Sequence, residues 1–212
     1  VDASGRVYVG GVETLGYLAP DEQGSTKYVS LLDKLSPADR QFSDVWNICI
    51  TGDGVYFQTK ERLLRFAKGV FRSWVPAQSF HFAFAVHDQL YILQKGVGLQ
   101  RLQHDQLETV PGGERFANER IYALLPWSAD ALLIGTRDHG WFIEEGGHYR
   151  PWLADHADAL KAAQIYGALW LGHDRLAVAT LQAGVLGWDR RGNEIDRIDT
   201  GSGLLGDTVY RM

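Results

Sequence analysis

Cysteine is almost absent from this sequence, which contains Cys49 alone. A single thiol cannot form a disulfide within the chain, and it excludes a cysteine-rich metal site. Cys49 falls in an apolar run, so we expect a buried structural thiol rather than a redox centre. No stretch of about 18 apolar residues is present either, so we expect no membrane insertion within this chain.

Positive charge is also scarce. The chain has 21 Lys and Arg against 26 Asp and Glu, a net charge of −5 and a pI near 5.8. A protein that binds DNA or RNA usually presents a basic face that neutralises phosphates. The composition therefore argues against a nucleic-acid partner.

The motifs of common active sites are missing as well. The seven histidines are scattered with no HExxH pattern, and the carboxylates form no shared short motif. No serine lies in a G-x-S-x-G elbow, and the glycine-rich stretches lack the lysine of a phosphate-binding loop. We therefore predict no catalytic residues, no metal and no cofactor, and we expect a protein that is not an enzyme.

Glycine and aromatic residues are abundant: there are 24 Gly, and Phe, Trp and Tyr make up 12% of the chain. This combination is typical of short strands joined by tight turns, because strands favour aromatics and turns need positive φ. The sequence also repeats itself. Five segments align without a gap, at residues 5–18, 53–66, 88–101, 130–143 and 174–187.

When the five copies are aligned, two columns that lie two residues apart are apolar in every copy. This spacing predicts a strand, which we call B, with one face buried in every copy. The columns are Val7, Val55, Leu90, Leu132 and Leu176, and Val9, Phe57, Ile92, Ile134 and Val178. Asp or Gly turns and further apolar runs place strand A before B, and strands C and D after it. The spacing between copies ranges from 35 to 48 residues.

Four strands per repeat of this length indicate an all-β fold, a β-propeller or propeller fragment of about five four-stranded blades. We predict a single domain over residues 1–212, with B strands near 7–11, 55–59, 90–94, 132–136 and 176–180. The first copy lacks strand A, and the tail after Gly203 is predicted to begin an isolated strand A. Residues 154–164 have a short helical pattern. A closed five-blade ring and a piece of a larger ring both fit this pattern.

The last two copies resemble a known repeat. Residues 132–136 read Leu-Leu-Ile-Gly-Thr before Gly140, and residues 176–180 read Leu-Ala-Val-Ala-Thr before Gly184. The tail at residues 203–210 reads Gly-Leu-Leu-Gly-Asp-Thr-Val-Tyr. These segments are similar to the two-component regulator propeller repeat, "G-x-L-W-I-G-T…G-G-L-x-R" with its inter-blade "G-L-P-x-N-x-V-Y". The second and third copies lack the Gly-Thr pair and are assigned from the columns alone.

This resemblance implies a periplasmic sensor or ligand-recognition module, the extracytoplasmic part of a bacterial inner-membrane signalling protein. The output would be a histidine kinase, a hybrid two-component regulator or a cyclic-di-nucleotide enzyme. The implied partner is a small molecule, a glycan or another propeller. Unpaired sheet edges would also allow two copies to form a homodimer. A propeller enzyme acting on polysaccharide and an assembly scaffold are the alternatives.

In a propeller, the D–A and B–C connections share one rim, where a ligand would bind. Arginine beside aromatic residues suits an anionic or sugar-like ligand. The candidate binding residues in the fourth copy are Arg120, Tyr122, Arg137, His139 and Trp141, and the neighbouring copy offers His81 and Lys95.

Overall fold

A computed structural model describes residues 1–210 of the chain. The chain divides into two compact units, Val1–Thr109 and a second unit that starts at Val110. Antiparallel sheets, called blades 1 to 5 in chain order, account for nearly all of the regular structure. The all-β fold predicted from the repeats is confirmed.

The first unit contains three blades, in each of which consecutive strands pair in order. Blade 1 consists of β1 (Tyr8–Gly11), β2 (Thr14–Pro20) and β3 (Thr26–Ser30). Blade 2 consists of β4 (Asn47–Thr51), β5 (Gly54–Gln58), β6 (Leu63–Ala67) and β7 (Val70–Trp74). Blade 3 consists of β8 (Phe80–Val86), β9 (Gln89–Gln94), β10 (Gly98–Gln103) and β11 (Gln106–Thr109).

Within residues 110–210, the second unit contains two blades and one short α-helix. Blade 4 consists of β12 (Ile121–Pro126), β13 (Ala131–Thr136), β14 (Trp141–Glu145) and β15 (His148–Trp152). The predicted helical pattern forms a 3₁₀ turn (Ala154–His156) and α1 (Ala157–Ala163). Blade 5 consists of β16 (Ile165–Leu171), β17 (Arg175–Thr180), β18 (Val185–Asp189) and β19 (Glu194–Ile198).

Apolar faces of neighbouring blades form the core of each unit. In the first unit, one cluster joins blades 1 and 2 around Phe57, and another joins blades 2 and 3 around Ile92. Cys49 is a member of the second cluster and is 6% exposed, so the expected buried thiol is found. In the second unit, tryptophans of blades 4 and 5 pack together with α1.

The Gly-Thr pair of the repeat has a packing reason in blade 4. Gly135 lies directly opposite Trp141 in the ladder between β13 and β14. A Cβ at Gly135 would come within 2.8 Å of the Trp141 ring, so only glycine leaves room for the indole. In blade 5 the equivalent pair is Ala179 and Val185, where a smaller partner accommodates the extra methyl group.

Two expectations from the sequence are wrong at the ends of the described chain. Val7 precedes β1 and is 39% exposed, and Val9 is only half-buried, unlike its four equivalents. Val9 lies on the face of blade 1 that points away from blade 2, where no other sheet of the first unit packs. Within residues 203–210, no strand forms where an isolated strand A was expected.

Candidate functional site

The first strand of each blade in the second unit begins with a β-bulge at a tyrosine. The pairing of β12 with β13 shifts between Ile121 and Ala123, and that of β16 with β17 shifts between Ile165 and Gly167. The residues at these shifts are Tyr122 and Tyr166. Bulges commonly redirect a side chain beside a functional site. Here they bring the two rings together, with centroids 5.0 Å apart.

A third tyrosine extends this pair. Tyr210 meets Tyr166 edge-on, with ring centroids 5.3 Å apart and planes at 83°. The three rings form a row, which we call the tyrosine row: Tyr122, Tyr166 and Tyr210. Tyr210 is 62% exposed, whereas the other two rings are half-buried.

Arg137 packs its guanidinium against this row. Its backbone N–H donates to the Arg120 carbonyl oxygen (3.0 Å), which joins the loop after β13 to the segment before β12. The guanidinium carbon lies 4.2 Å from the centre of the Tyr122 ring and 5.7 Å from that of Tyr166. Such a position favours the cation electrostatically. Nε and Nη2 are buried and have no hydrogen-bond partner within residues 1–210.

An arginine–aspartate ion pair and a histidine–glutamate contact flank Arg137. Arg120 Nη2 lies 3.0 Å from Asp138 Oδ2, and His139 Nδ1 lies 2.7 Å from Glu119 Oε1. Glu119 Oε2 is buried and also lacks a partner in the described chain. Arg120 is thus already matched by a carboxylate, whereas Arg137 has no ion-pair partner in the described part of the chain.

The surroundings of the tyrosine row raise the pKa of one of its members, Tyr122. Burial raises the pKa of the Tyr122 hydroxyl above its usual value, and the positive charges of Arg137 and Arg120 oppose this shift. Tyr122 therefore stays protonated at neutral pH, so its ring faces Arg137 as a neutral π-system.

The structure brings four of the predicted site residues into one place: Arg120, Tyr122, Arg137 and His139. It does not bring Trp141 there. The Trp141 side chain is 1% exposed and packs against Trp152 in the core of the second unit, so its assignment to the rim is corrected. Its position at the start of β14 points the indole between blades 4 and 5 rather than out of the loop.

The remaining two candidates lie in the first unit. His81 is in β8 with its ring 4.8 Å from Phe82 and 6.5 Å from Trp46. Lys95 is exposed just after β9, and its backbone N–H donates to the Ser79 carbonyl oxygen. Their role in binding stays a prediction.

The sequence reasoning missed Glu119, Tyr166 and Tyr210. A signal for the tyrosines was present, because an apolar residue followed by Tyr recurs at residues 121–122, 165–166 and 209–210, at intervals of 44 residues. Glu119 had no comparable signal, since a single carboxylate near a loop is common.

The first unit has its own open groove, with a volume of about 1230 Å³, beside the A–B turns of blades 2 and 3. The carboxylate at the centre of this groove, that of Asp53, already has hydrogen-bond partners. Asp53 accepts hydrogen bonds from the Tyr56 hydroxyl (2.7 Å) and from Arg65 Nη1 (2.9 Å). Burial opposes ionisation of Asp53, but hydrogen bonds led by that from Thr51 keep its pKa below the usual value. We interpret this network as structural.

The described residues contain neither a cluster of metal-ligating side chains nor a helix suited to a membrane. No group of three or more His, Cys, Asp or Glu side chains is placed to hold a metal ion. No helix in residues 1–210 is both long enough and apolar enough to span a bilayer.

The blades identify the fold as that of a β-propeller or a propeller fragment, and comparisons with solved structures agree. The chain superposes on the extracellular domains of two hybrid two-component systems from B. thetaiotaomicron. One has a TM-score of 0.69 and 15% identity, covering 99% of this chain and 28% of that one. The other has a TM-score of 0.63 and 18% identity, covering 98% and 29%. The WD40 β-propeller domain of Doa1 gives a TM-score of 0.65 and 11% identity, covering 92% and 64%.

These neighbours include the kind of protein that the repeat resemblance implied, and at such identities they show the fold alone. The chain spans less than a third of the length of the two-component chains. No family model matches the sequence, and no curated protein does.

Proposed function

We propose that this chain is a non-enzymatic ligand-recognition module, the periplasmic part of a bacterial membrane-bound signalling protein. The ligand is a small molecule or glycan bearing a negative charge, and it binds at Arg137 beside the tyrosine row. The observation that carries this proposal is the guanidinium of Arg137, which lies against two rings and lacks an ion-pair partner in the described chain.

An anionic ligand is favoured because two guanidinium donors of Arg137, Nε and Nη2, lack hydrogen-bond partners in the described chain. A hydrogen bond to a charged group contributes about 1.5–3 kcal/mol, and a buried donor without a partner is unfavourable. Nε and Nη2 form one edge of the guanidinium, which matches the two oxygens of a carboxylate. A carboxylate that reaches this edge restores both hydrogen bonds and neutralises the charge.

Access to that edge needs a local movement. Nε and Nη2 are shielded from solvent, so an anion contacts them only after a neighbouring side chain shifts. Small rearrangements of side chains are common on binding. The rings of the tyrosine row can then stack on an apolar or sugar-like part of the ligand.

The loops around Arg137 are suited to recognition because they are held by a rigid sheet. Thr136 Oγ1 donates to the Gly140 carbonyl oxygen (2.9 Å) and accepts from the His139 N–H (3.1 Å), which fixes the turn that presents Arg137. Loops positioned by a scaffold commonly bear binding residues. The output domain we propose is a histidine kinase, a hybrid regulator or a cyclic-di-nucleotide enzyme.

The first test measures binding with matched charged and neutral probes. Binding is measured by calorimetry. We expect glucuronate or benzoate to bind, and their neutral counterparts, glucose and benzamide, to bind much more weakly. Arg137→Ala should weaken binding of the charged probe roughly ten- to hundredfold, because it removes a charged hydrogen-bonding partner. Arg150→Ala, an exposed arginine of β15, is the matched control and should bind as the wild-type chain does.

Two outcomes would contradict the proposal. Binding that is equally strong for charged and neutral probes, or unchanged by Arg137→Ala, would remove Arg137 from the site. Turnover of an oligosaccharide by the purified chain would instead favour the alternative, a propeller enzyme acting on polysaccharide.

Self-association is a second candidate function, favoured by the outer face of blade 5. Leu171, Ile195 and Ile198 are 54%, 41% and 42% exposed there. The equivalent face of blade 4 is covered by blade 5, so this surface fits the sheet of another blade, which we assign to a second copy of the chain.

Sedimentation velocity over a wide range of concentrations tests the second candidate. We expect dimer formation in the wild-type chain and its loss in Ile198→Glu, with the exposed Val70→Glu as the control. A chain that stays monomeric at every concentration would contradict it.

A further inference from the structure

The segment before the end of the described chain is docked on blade 5 by its backbone. The Val209 N–H donates to the Thr180 carbonyl oxygen and the Gly184 N–H donates to the Asp207 carbonyl oxygen, both at 2.8 Å. Thr208 Oγ1 donates to the Leu181 carbonyl oxygen (2.9 Å). We call residues 204–210 the docked segment.

The docked segment reaches the binding site through one ring. Tyr210 contacts Tyr166, and Tyr166 in turn contacts both Tyr122 and the guanidinium of Arg137. Tyr166 is therefore shared between the segment and the anion site, at the bulge that begins β16. A shift of this ring changes the surroundings of Arg137 and the contact with Tyr210 together.

We infer that anion binding at Arg137 is coupled to release of the docked segment. This inference rests on the proposed function. With the segment docked, Nε and Nη2 are buried without partners, so this arrangement is not the one that binds an anion. When Tyr166 moves aside to admit the ligand, it leaves the edge-on contact that Tyr210 makes with it.

Linkage requires the coupling to act in both directions. A ligand that binds one of two states better shifts the population toward that state, and each partner changes the affinity of the other by the same factor. Loss of the Tyr210 contact should therefore strengthen anion binding by the factor by which the anion destabilises docking. Occupancy of the site therefore changes how firmly residues 204–210 are held on blade 5.

Hydrogen exchange of the wild-type chain tests the inference with the same probes. We expect glucuronate or benzoate, at saturation, to accelerate exchange of the Val209 and Gly184 amides about fivefold or more, the lower range of typical allosteric coupling. Glucose and benzamide should leave these rates unchanged. The Leu93 amide, in the interior of the first unit, serves as the internal reference.

Affinity measurements test the same coupling in the opposite direction, from the docked segment to the anion site. Tyr210→Ala should tighten binding of the charged probe by a similar factor, whereas Tyr28→Ala, at an exposed tyrosine of blade 1, should not. Binding with unchanged or slower exchange at Val209 would overturn the coupling and leave the proposed function standing. A complete lack of binding would overturn the proposed function, and the coupling with it.

Discussion

Trp141→Ala is expected to lower the free energy of unfolding of the second unit by about 3–5 kcal/mol, the usual result of truncating a buried aromatic residue. The indole is 1% exposed and fills the space between blades 4 and 5. It stands edge-on to Trp152, with ring centroids 6.0 Å apart, and lies over Gly135. Alanine would leave a cavity that the two rigid sheets cannot close.

Urea unfolding followed by far-ultraviolet circular dichroism measures this effect without relying on tryptophan emission. Arg150→Ala, at an exposed residue of the same unit, is the control and should shift stability by about 0.5 kcal/mol or less. If Trp141→Ala remained as stable as the wild-type chain but lost ligand binding, the rim assignment made from the sequence would be restored.

The repeat made most of the fold predictable. Apolar residues two apart in five copies can satisfy only a strand with one buried face, and this reasoning located Phe57, Ile92, Ile134 and Val178, all fully buried. The same reasoning failed for Val9. An aligned column shows which face of the strand a residue lies on, but it does not show whether another sheet covers that face.

Trp141 shows a second limit of the pattern. Its position in the sequence, beside the loop of Arg137 and His139, makes it a candidate for the rim. In the structure the strand begins at Trp141 itself, and the pleat turns its side chain into the space between blades. A shift of one residue along a strand moves a side chain to the opposite face, so closeness to a loop in the sequence does not show which way a side chain points.

The location of the candidate site was predictable in outline, because strand order alone places the loops around residues 120 and 137 on the same rim. Its chemical content was not. The bulges that aim Tyr122 and Tyr166 arise from a mismatch in pairing, and the unfilled donors of Arg137 are a property of three-dimensional packing.

Gly184→Ala should be nearly as severe as the tryptophan truncation, for a different reason. Gly184 has a φ of +68°, which costs a residue with a Cβ about 1–2 kcal/mol. A Cβ there would also lie 2.1 Å from the Ile198 carbonyl oxygen. Because the obstacle is the backbone at the end of β19, it cannot rotate away, and overpacking adds about 1–3 kcal/mol.

Gly172→Ala separates these two contributions, since Gly172 has the same φ of +68° but no atom within 4 Å of a Cβ. We expect Gly172→Ala to show the conformational cost alone in urea unfolding, and Gly184→Ala to show that cost plus the steric one. Equal destabilisation by the two substitutions would mean that the loop at Gly184 moves freely away from Ile198. Because the Gly184 N–H also anchors Asp207, only Gly184→Ala should accelerate exchange of the Val209 amide in the absence of ligand.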